Sequence, residues 1–462
     1  MFAFFKRYKP YYRNNLAVAL PVVLSQAGQV TVQVADNIMV GHYGATELAA
    51  ATFANSIFII GFVLAMGITF GITPIVGSAF GQNNFRKASA LLYHAFIFNL
   101  IFSTILLISM WGISYLMYDM GQTENVAKLA IPYYRIVIIG FIPSAIFFTL
   151  KQFFEGIGNT KIAMIVTLLS NVINVILNYL LIYGKFGFPE MGLEGAGIAT
   201  LISRFFLAGG LFWLLSKKPN FNRYFQLIDR GKVYKKHFKK IISTGLPIGL
   251  QMVAEVTFFS MAAIMVGWIG EIDLAAHQIA MSVSIVSFMI ATGIGSGTTI
   301  RVSHQLGAGK LVDMQRAGMA SVHLIIAFMS ICAIAILIFR EQLPYLFIDS
   351  SNSEILALAS KLLVISAIYQ VFDGSQVVFL GSLRGLSDVK QPFWISLVTY
   401  MGIGLPTAYI LGIKLNYGTQ GIWAGLAISL AIASILFYLR FKKISNTLID
   451  RDSNKKRINN TP

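Results

Sequence analysis

Twelve continuous apolar runs, each long enough to cross a bilayer, leave this chain of 462 residues little choice of fold. A helix that spans the hydrocarbon core needs ~20 consecutive, mostly apolar residues. Runs of that kind occupy roughly 15–40, 52–78, 89–115, 130–152, 161–183, 194–215, 241–267, 274–300, 315–338, 356–382, 391–413 and 416–440. Short turns bearing Gly, Pro and Asn separate them, so little mass remains for a soluble domain. Only 12% of the residues are charged, against about 25% in a soluble domain. Within lipid no water satisfies a free backbone N–H or C=O, so only helices and closed barrels can span it. The runs do not alternate in the ~10-residue pattern of a barrel strand. The expected fold is an all-α integral membrane protein with twelve transmembrane helices.

The net charge of +17 would suit a nucleic-acid partner if it were spread over a soluble surface. Instead, 29 of the 36 Lys and Arg residues fall at the N-terminus, in the tail, and in or beside the loops after even-numbered spans. Nine lie in "SKKPNFNRYFQLIDRGKVYKKHFKK" (216–240). The loops after odd-numbered spans hold Lys128, Lys185, Arg340 and Lys414. This asymmetry follows the positive-inside rule and places both termini in the cytoplasm. The basic balance therefore reports topology and contact with anionic lipid headgroups, and no nucleic-acid partner is expected. The opening "MFAFFKRYKPYYRNN" lacks the short apolar core and cleavage site of a signal peptide. The single Cys332 sits in an apolar run and reads as a buried thiol.

A shift of 226 residues lays one half of the chain on the other. Leu20–Pro21 falls on Leu246–Pro247, Met39–Val40–Gly41 on Met265–Val266–Gly267, and Leu48–Ala49–Ala50 on Leu274–Ala275–Ala276. Gly67, Gly71 and Gly81 fall on Gly293, Gly297 and Gly307. "EGIGNTK" (155–161) meets "RGLSDVK" (384–390) at a shift of 229. Each half holds six spans, an even number, so both enter the membrane in the same direction, as in parallel-repeat transporters. The expected organisation is a cytoplasmic N-terminus (1–14), an N-lobe (15–215), a basic cytoplasmic linker (216–240), a C-lobe (241–440) and a cytoplasmic tail (441–462).

Sixteen of the nineteen Asp and Glu residues fall in loops, span ends or tails; Asp36, Glu255 and Asp373 do not. A charge at mid-bilayer costs roughly 2.5–3.5 kcal/mol on insertion scales. Such a carboxylate must face a polar cavity, bind a cation or take up a proton, and all three suit ion coupling. At the 226 shift Glu255 falls on Gln29 and Asp36 on Ala262, so the first span of each half carries one acid, two helical turns apart in repeat register. The halves share a frame but not a task.

Tyr369 and Asp373 stand four apart on span ten, so phenol and carboxylate share a face. With Glu255 they offer oxygen ligands to a hard cation such as Na⁺, or two acids able to share a proton. Asn174 and Asn178 repeat the spacing on span five, and with Thr200 they could satisfy Asp36; the plainer alternative for these amides is polar glue between helices. Lys361, Arg135 and Arg204 lie nearer to span ends and are expected to snorkel. Among the histidines there is no metal-ligand spacing: His42 and His277 abut outer loops, and His94 and His323 stand alone. "GIGSG" (293–297) is a small-residue packing surface within a span, not a nucleotide loop. No catalytic constellation and no Walker signature occurs, so no enzyme activity and no cofactor are expected, and energy must come from an ion gradient.

"ADNIMVGHYGATELAA", its echo "AAIMVGWIGEIDLAA", "PIVGSAFGQ" (74–82) and "GSLRGLSDVKQP" (381–392) resemble the multidrug and toxic compound extrusion (MATE) transporters. The placement of Asp36, Glu255 and Asp373 is similar to the NorM-type branch, and the likeness covers roughly residues 10–440. The resemblance implies a V-shaped pair of pseudo-symmetric six-helix bundles in the inner (plasma) membrane, acting as a monomer. It implies export of amphipathic, often cationic drugs or dyes in exchange for Na⁺ or H⁺. It assigns Glu255, Tyr369 and Asp373 to the cation site of the C-lobe, and Asp36, Asn174, Asn178 and Thr200 to the polar site of the N-lobe. Gln29, Ser56 and Gln278 match positions facing the drug cleft. In the archaeal branch the position of Asn178 is an acid; an Asn cannot release a proton, which argues against a relay of that kind. A flippase for lipid-linked precursors is the alternative of the same superfamily, and would call for basic groups deep in the spans.

Overall fold

The computed structural model describes residues 2–229, 233–349 and 351–459. Positions 230–232 of the basic linker and 460–462 of the tail lie outside the described residues. Among the described residues, twelve helices are long and apolar enough to cross a membrane: Lys6–Tyr43, Ala45–Gly81, Phe85–Ile113, Glu124–Gly156, Thr160–Tyr183, Gly192–Lys217, Lys235–Gly267, Glu271–Gly307, Leu311–Phe339, Ser353–Gly385, Lys390–Lys414 and Gly418–Asn454. They are called spans 1 to 12 below. The all-helical architecture expected from the sequence is thus the one observed, and it follows from the backbone's need to satisfy its own hydrogen bonds in lipid. Ile108, Val286 and Ile331 are among many large apolar side chains left more than half exposed, the surface a bilayer would cover.

Helix ends are set by local chemistry. The Asn84 side chain accepts the Lys87 N–H at the start of span 3, and that of Asn159 accepts the Ile162 N–H at the start of span 5. These bonds satisfy N–H groups that the helix itself leaves without partners. The turns repeat with the sequence. Left-handed backbone occurs at Asn83 and Gly309 and at Gly192 and Gly418, two pairs 226 residues apart, and at Gly158 and Ser387. The duplication is therefore written in the backbone as well as in the sequence. Span 11 departs from its counterpart: two stretches of π-helix, Val398–Gly404 and Ile410–Lys414, flank Leu405–Tyr409. Such widened turns often mark functional positions, and the first contains Tyr400.

The chain forms two compact units, Leu24–Gly249 (the N-unit) and Met1–Val23 with Leu250–Pro462 (the C-unit). Spans 1 and 7 are each divided between the units just after a proline, Pro21 and Pro247. Small residues explain the division. In the N-unit, Gly245 of span 7 lies so close to span 2 that a Cβ on it would stand 2.4 Å from the Ile68 carbonyl oxygen. In the C-unit, a Cβ on Gly297 would stand 2.7 Å from the Ala19 Cβ of span 1. Gly71 and Gly297, and Ala19 and Gly245, are repeat equivalents, so each opening helix makes the same backbone-close crossing.

Gly245→Leu should therefore destabilise the protein by about 1–3 kcal/mol or more, the cost of overpacking against a backbone atom that cannot move aside. Gly112→Ala, where a Cβ would meet nothing within 4 Å, is the control. Thermal unfolding in detergent should separate the two; equal melting temperatures would refute the crossing.

Candidate functional site

In the C-unit, the helical repeat brings acids and amides together on three spans. Span 7 carries Gln251 and Glu255 one turn apart, and span 10 carries Tyr369, Asp373, Gln376 and Arg384. Gln251 Nε2 donates to Glu255 Oε2 at 3.2 Å, while its Oε1 accepts from Arg384 Nη2 at 2.6 Å. Gln376 Nε2 donates to Asp373 Oδ1 at 3.3 Å, while its Oε1 accepts from the Tyr400 hydroxyl at 2.8 Å. The two relays have one design: a glutamine amide gives its N–H to a carboxylate and is itself oriented by a second donor. Tyr400 is fixed in turn by stacking on Phe258, with ring centroids 5.0 Å apart and planes at 12°.

Asp373 is 3% exposed and Tyr369 equally buried. Glu255, Asp373, Tyr369 and Tyr400 all lie within electrostatic range of one another. Among the described residues, neither carboxylate forms an ion pair with Lys or Arg. Arg384 acts on Glu255 from one amide away. Two carboxyl groups thus lie within electrostatic range of each other without a direct cationic partner, the condition under which a small cation or a proton is attracted.

In the N-unit, Asn178 Nδ2 donates to Asp36 Oδ1 at 2.5 Å and to Asn174 Oδ1 at 3.2 Å. Both amides are buried. Thr200 is half-buried on span 6, and among the described residues it makes no hydrogen bond to Asp36. Asp36, Tyr133 and Arg204 lie within electrostatic range of one another. Ser56 and Gln278 stand exposed on spans 2 and 8, with Gln29 half-buried on span 1.

The structure gives Arg204, His94, His323 and Lys151 partners that the sequence does not show. Arg204 does not snorkel: its Nη1 donates to the Val137 carbonyl at 2.9 Å, and its guanidinium lies over Phe58 and Phe62. Packing against span 4 and two aromatic faces replaces the water that a snorkelling group would seek. His94 and His323 do not stand alone, since His94 accepts the Tyr234 N–H and His323 meets the Tyr12 hydroxyl. Lys151, near the end of the fourth apolar run, is buried beside Glu155 in span 4.

Gln251, Gln376, Tyr400 and Arg384 were not anticipated. The four- and three-residue spacings of Gln251–Glu255 and Asp373–Gln376 were legible as shared helix faces. The reach of Tyr400 and Arg384 to them was not. Among the described residues, no group of three or more His, Cys, Asp or Glu side chains is arranged to hold a metal ion.

Two sequence repeats of six apolar helices, with acid-bearing polar clusters inside the units, define a multi-pass membrane protein of the transporter class. Residues 21–180 and 247–410 match the MatE family model. The chain belongs to that family. It is 30% identical over 437 residues to the "Probable multidrug resistance protein NorM" of Rhizobium meliloti (strain 1021), covering 94% of each chain. Over 435 residues it is 30% identical to the protein of the same description from Agrobacterium fabrum (strain C58 / ATCC 33970), covering 93% of each. The fold is similar to that in "Crystal structure of MATE in complex with MaL6", with a TM-score of 0.87 and 21% identity over 95% of this chain and 97% of that one. It is equally similar to an outward-facing multidrug resistance MATE family transporter of the MOP superfamily, with a TM-score of 0.87 and 22% identity over the same shares. At that identity the solved structures speak for the fold alone.

Proposed function

We propose that the protein is a secondary antiporter that exports amphipathic, often cationic small molecules across the inner membrane in exchange for Na⁺ or H⁺. Two six-helix lobes, within 15–215 and 241–440, alternate access to the substrate, with both termini and the linker cytoplasmic. The observation that carries the ion coupling is the pair Glu255 and Asp373, each held by a glutamine amide and neither neutralised by a direct cationic partner. A bound Na⁺ would offset the cost of keeping both acids ionised at close range, with Tyr369 as a further oxygen ligand. A proton would do so by leaving one acid neutral. Asp36, with Asn174 and Asn178, forms the polar site of the N-lobe. Gln29, Ser56 and Gln278 face the substrate.

The relatives named as multidrug resistance proteins support the substrate class, and the NorM-type resemblance favours Na⁺. A flippase for lipid-linked precursors would need free basic groups for a diphosphate. Arg204 and Arg384, which lie within electrostatic range of Asp36 and Glu255, are instead engaged by Val137 and Gln251.

Purified protein in proteoliposomes, loaded with a fluorescent cationic dye, tests the proposal under separately imposed Na⁺ and pH gradients. Dye movement against an inward Na⁺ gradient is the expected result. By linkage, the ion must weaken dye binding by the factor that the dye weakens ion binding, so added Na⁺ at fixed pH should release bound dye. Dye movement that follows pH alone would assign the same acids to protons. Dye that moves with neither gradient would overturn the antiport reading.

A further inference from the structure

A second polar column in the C-unit leads to the same acids. Its members are spaced one helical turn apart on three spans: Asp273 and His277 on span 8, Thr419 and Trp423 on span 12, Tyr369 and Asp373 on span 10. The Thr419 hydroxyl donates to Asp273 Oδ1. Trp423 Nε1 donates to His277 Nδ1 at 3.0 Å. The other face of the contact is aromatic, with the Tyr369 ring edge-on to the indole at 5.6 Å and 64°. His277 is 2% exposed and Trp423 fully buried.

An indole N–H can only donate, so His277 Nδ1 must offer a lone pair, and the imidazole is neutral with its proton on Nε2. A buried neutral imidazole that holds a buried indole, which packs on the phenol beside two acids, is more than core filling. We propose that His277 and Trp423 are positioning residues for the ion site. His277 fixes the indole, the indole fixes Tyr369, and Tyr369 presents its oxygen to the ion drawn in by Glu255 and Asp373. The proposal rests on the reading of those acids as the coupling site. Acid opposes the arrangement, because an imidazolium has no acceptor for the Trp423 N–H. Among the groups that face His277, Asp273 is taken up by Thr419 and Tyr369 lies beyond the indole. No charged side chain among the described residues acts on the ring.

The test uses full-length protein in which Trp111, Trp213, Trp268 and Trp394, all exposed, are replaced by Phe, leaving Trp423 as the reporter. Two readouts are taken: Trp423 emission against pH without Na⁺, and the Na⁺ concentration for half-maximal dye export. Trp423 emission should fall by about twofold as the medium is taken from about pH 7 down to about pH 3, as His277 gains a proton and quenches it. His277→Asn, whose amide oxygen accepts the indole N–H but takes up no proton, should show flat emission and a Na⁺ requirement within about twofold of the parent. His277→Phe, and Trp423→Phe in the otherwise native protein, should each raise the requirement about tenfold through loss of the hydrogen bond, with the maximal rate less affected. A parent-like Na⁺ requirement in both Phe variants, or emission from the parent that ignores pH, would overturn the proposal. If Asp373→Asn still exports dye on a Na⁺ gradient, the ion-site reading fails instead, and the emission curves of the parent and His277→Asn still decide whether His277 holds Trp423.

Discussion

Asp373→Asn should abolish cation-driven dye export, with a fall of at least about tenfold in initial rate, while protein yield and melting temperature stay close to the parent's. The amide keeps the shape of the carboxylate and still accepts from Gln376 Nε2, so the Tyr400–Gln376 relay survives. Only the charge, or the proton that replaces it, is lost. Glu255→Gln should act in the same way, because its amide oxygen can take the Gln251 bond. Facilitated dye equilibration without a gradient is the informative control: an uncoupled carrier retains it, a collapsed one does not. Export at the parent's rate in either variant would remove that residue from the coupling machinery.

The second large effect concerns stability. Lys151 Nζ lies 3.9 Å from Glu155 Oε1 in span 4, with the two side chains 3% and 2% exposed. Removing one member of a buried pair strands the other, at a cost of about 3–5 kcal/mol, whereas replacing both with apolar groups of similar volume is often neutral or stabilising. Lys151→Met should therefore lower the melting temperature sharply, and Lys151→Met/Glu155→Leu should recover most of the loss. A double-mutant cycle measured by unfolding in detergent gives the coupling. Additive effects of the two single changes would show that the pair does not act as a unit.

Glu155 also shows how far the duplicated halves have diverged. At the 229 shift it occupies the place of Arg384, so one repeat position bears opposite charges. In the C-unit that position orients Gln251 towards Glu255; in the N-unit it closes a buried pair with Lys151. The unequal placement of Asp36 and Glu255 belongs to the same pattern of a shared frame carrying different polar contents.

The twelve spans, the duplication and the isolation of Asp36, Glu255 and Asp373 are legible without a structure. Each follows from a local rule: lipid forces apolar runs into helices, a constant shift survives in turns, and a lone acid in an apolar run stands out. Helical periodicity also placed Tyr369 with Asp373 and Asn174 with Asn178, since residues four apart on one helix share a face whatever surrounds it. What those faces meet is set by how the helices pack. The depth and rotation of neighbouring helices bring Tyr400 to Gln376, Arg384 to Gln251 and Trp423 to His277, and no spacing within a single span encodes them. The division of spans 1 and 7 between the two units was hidden for the same reason. Hydropathy reads each as one continuous helix, whereas the units are set by where Gly245 and Ala19 let two backbones come close.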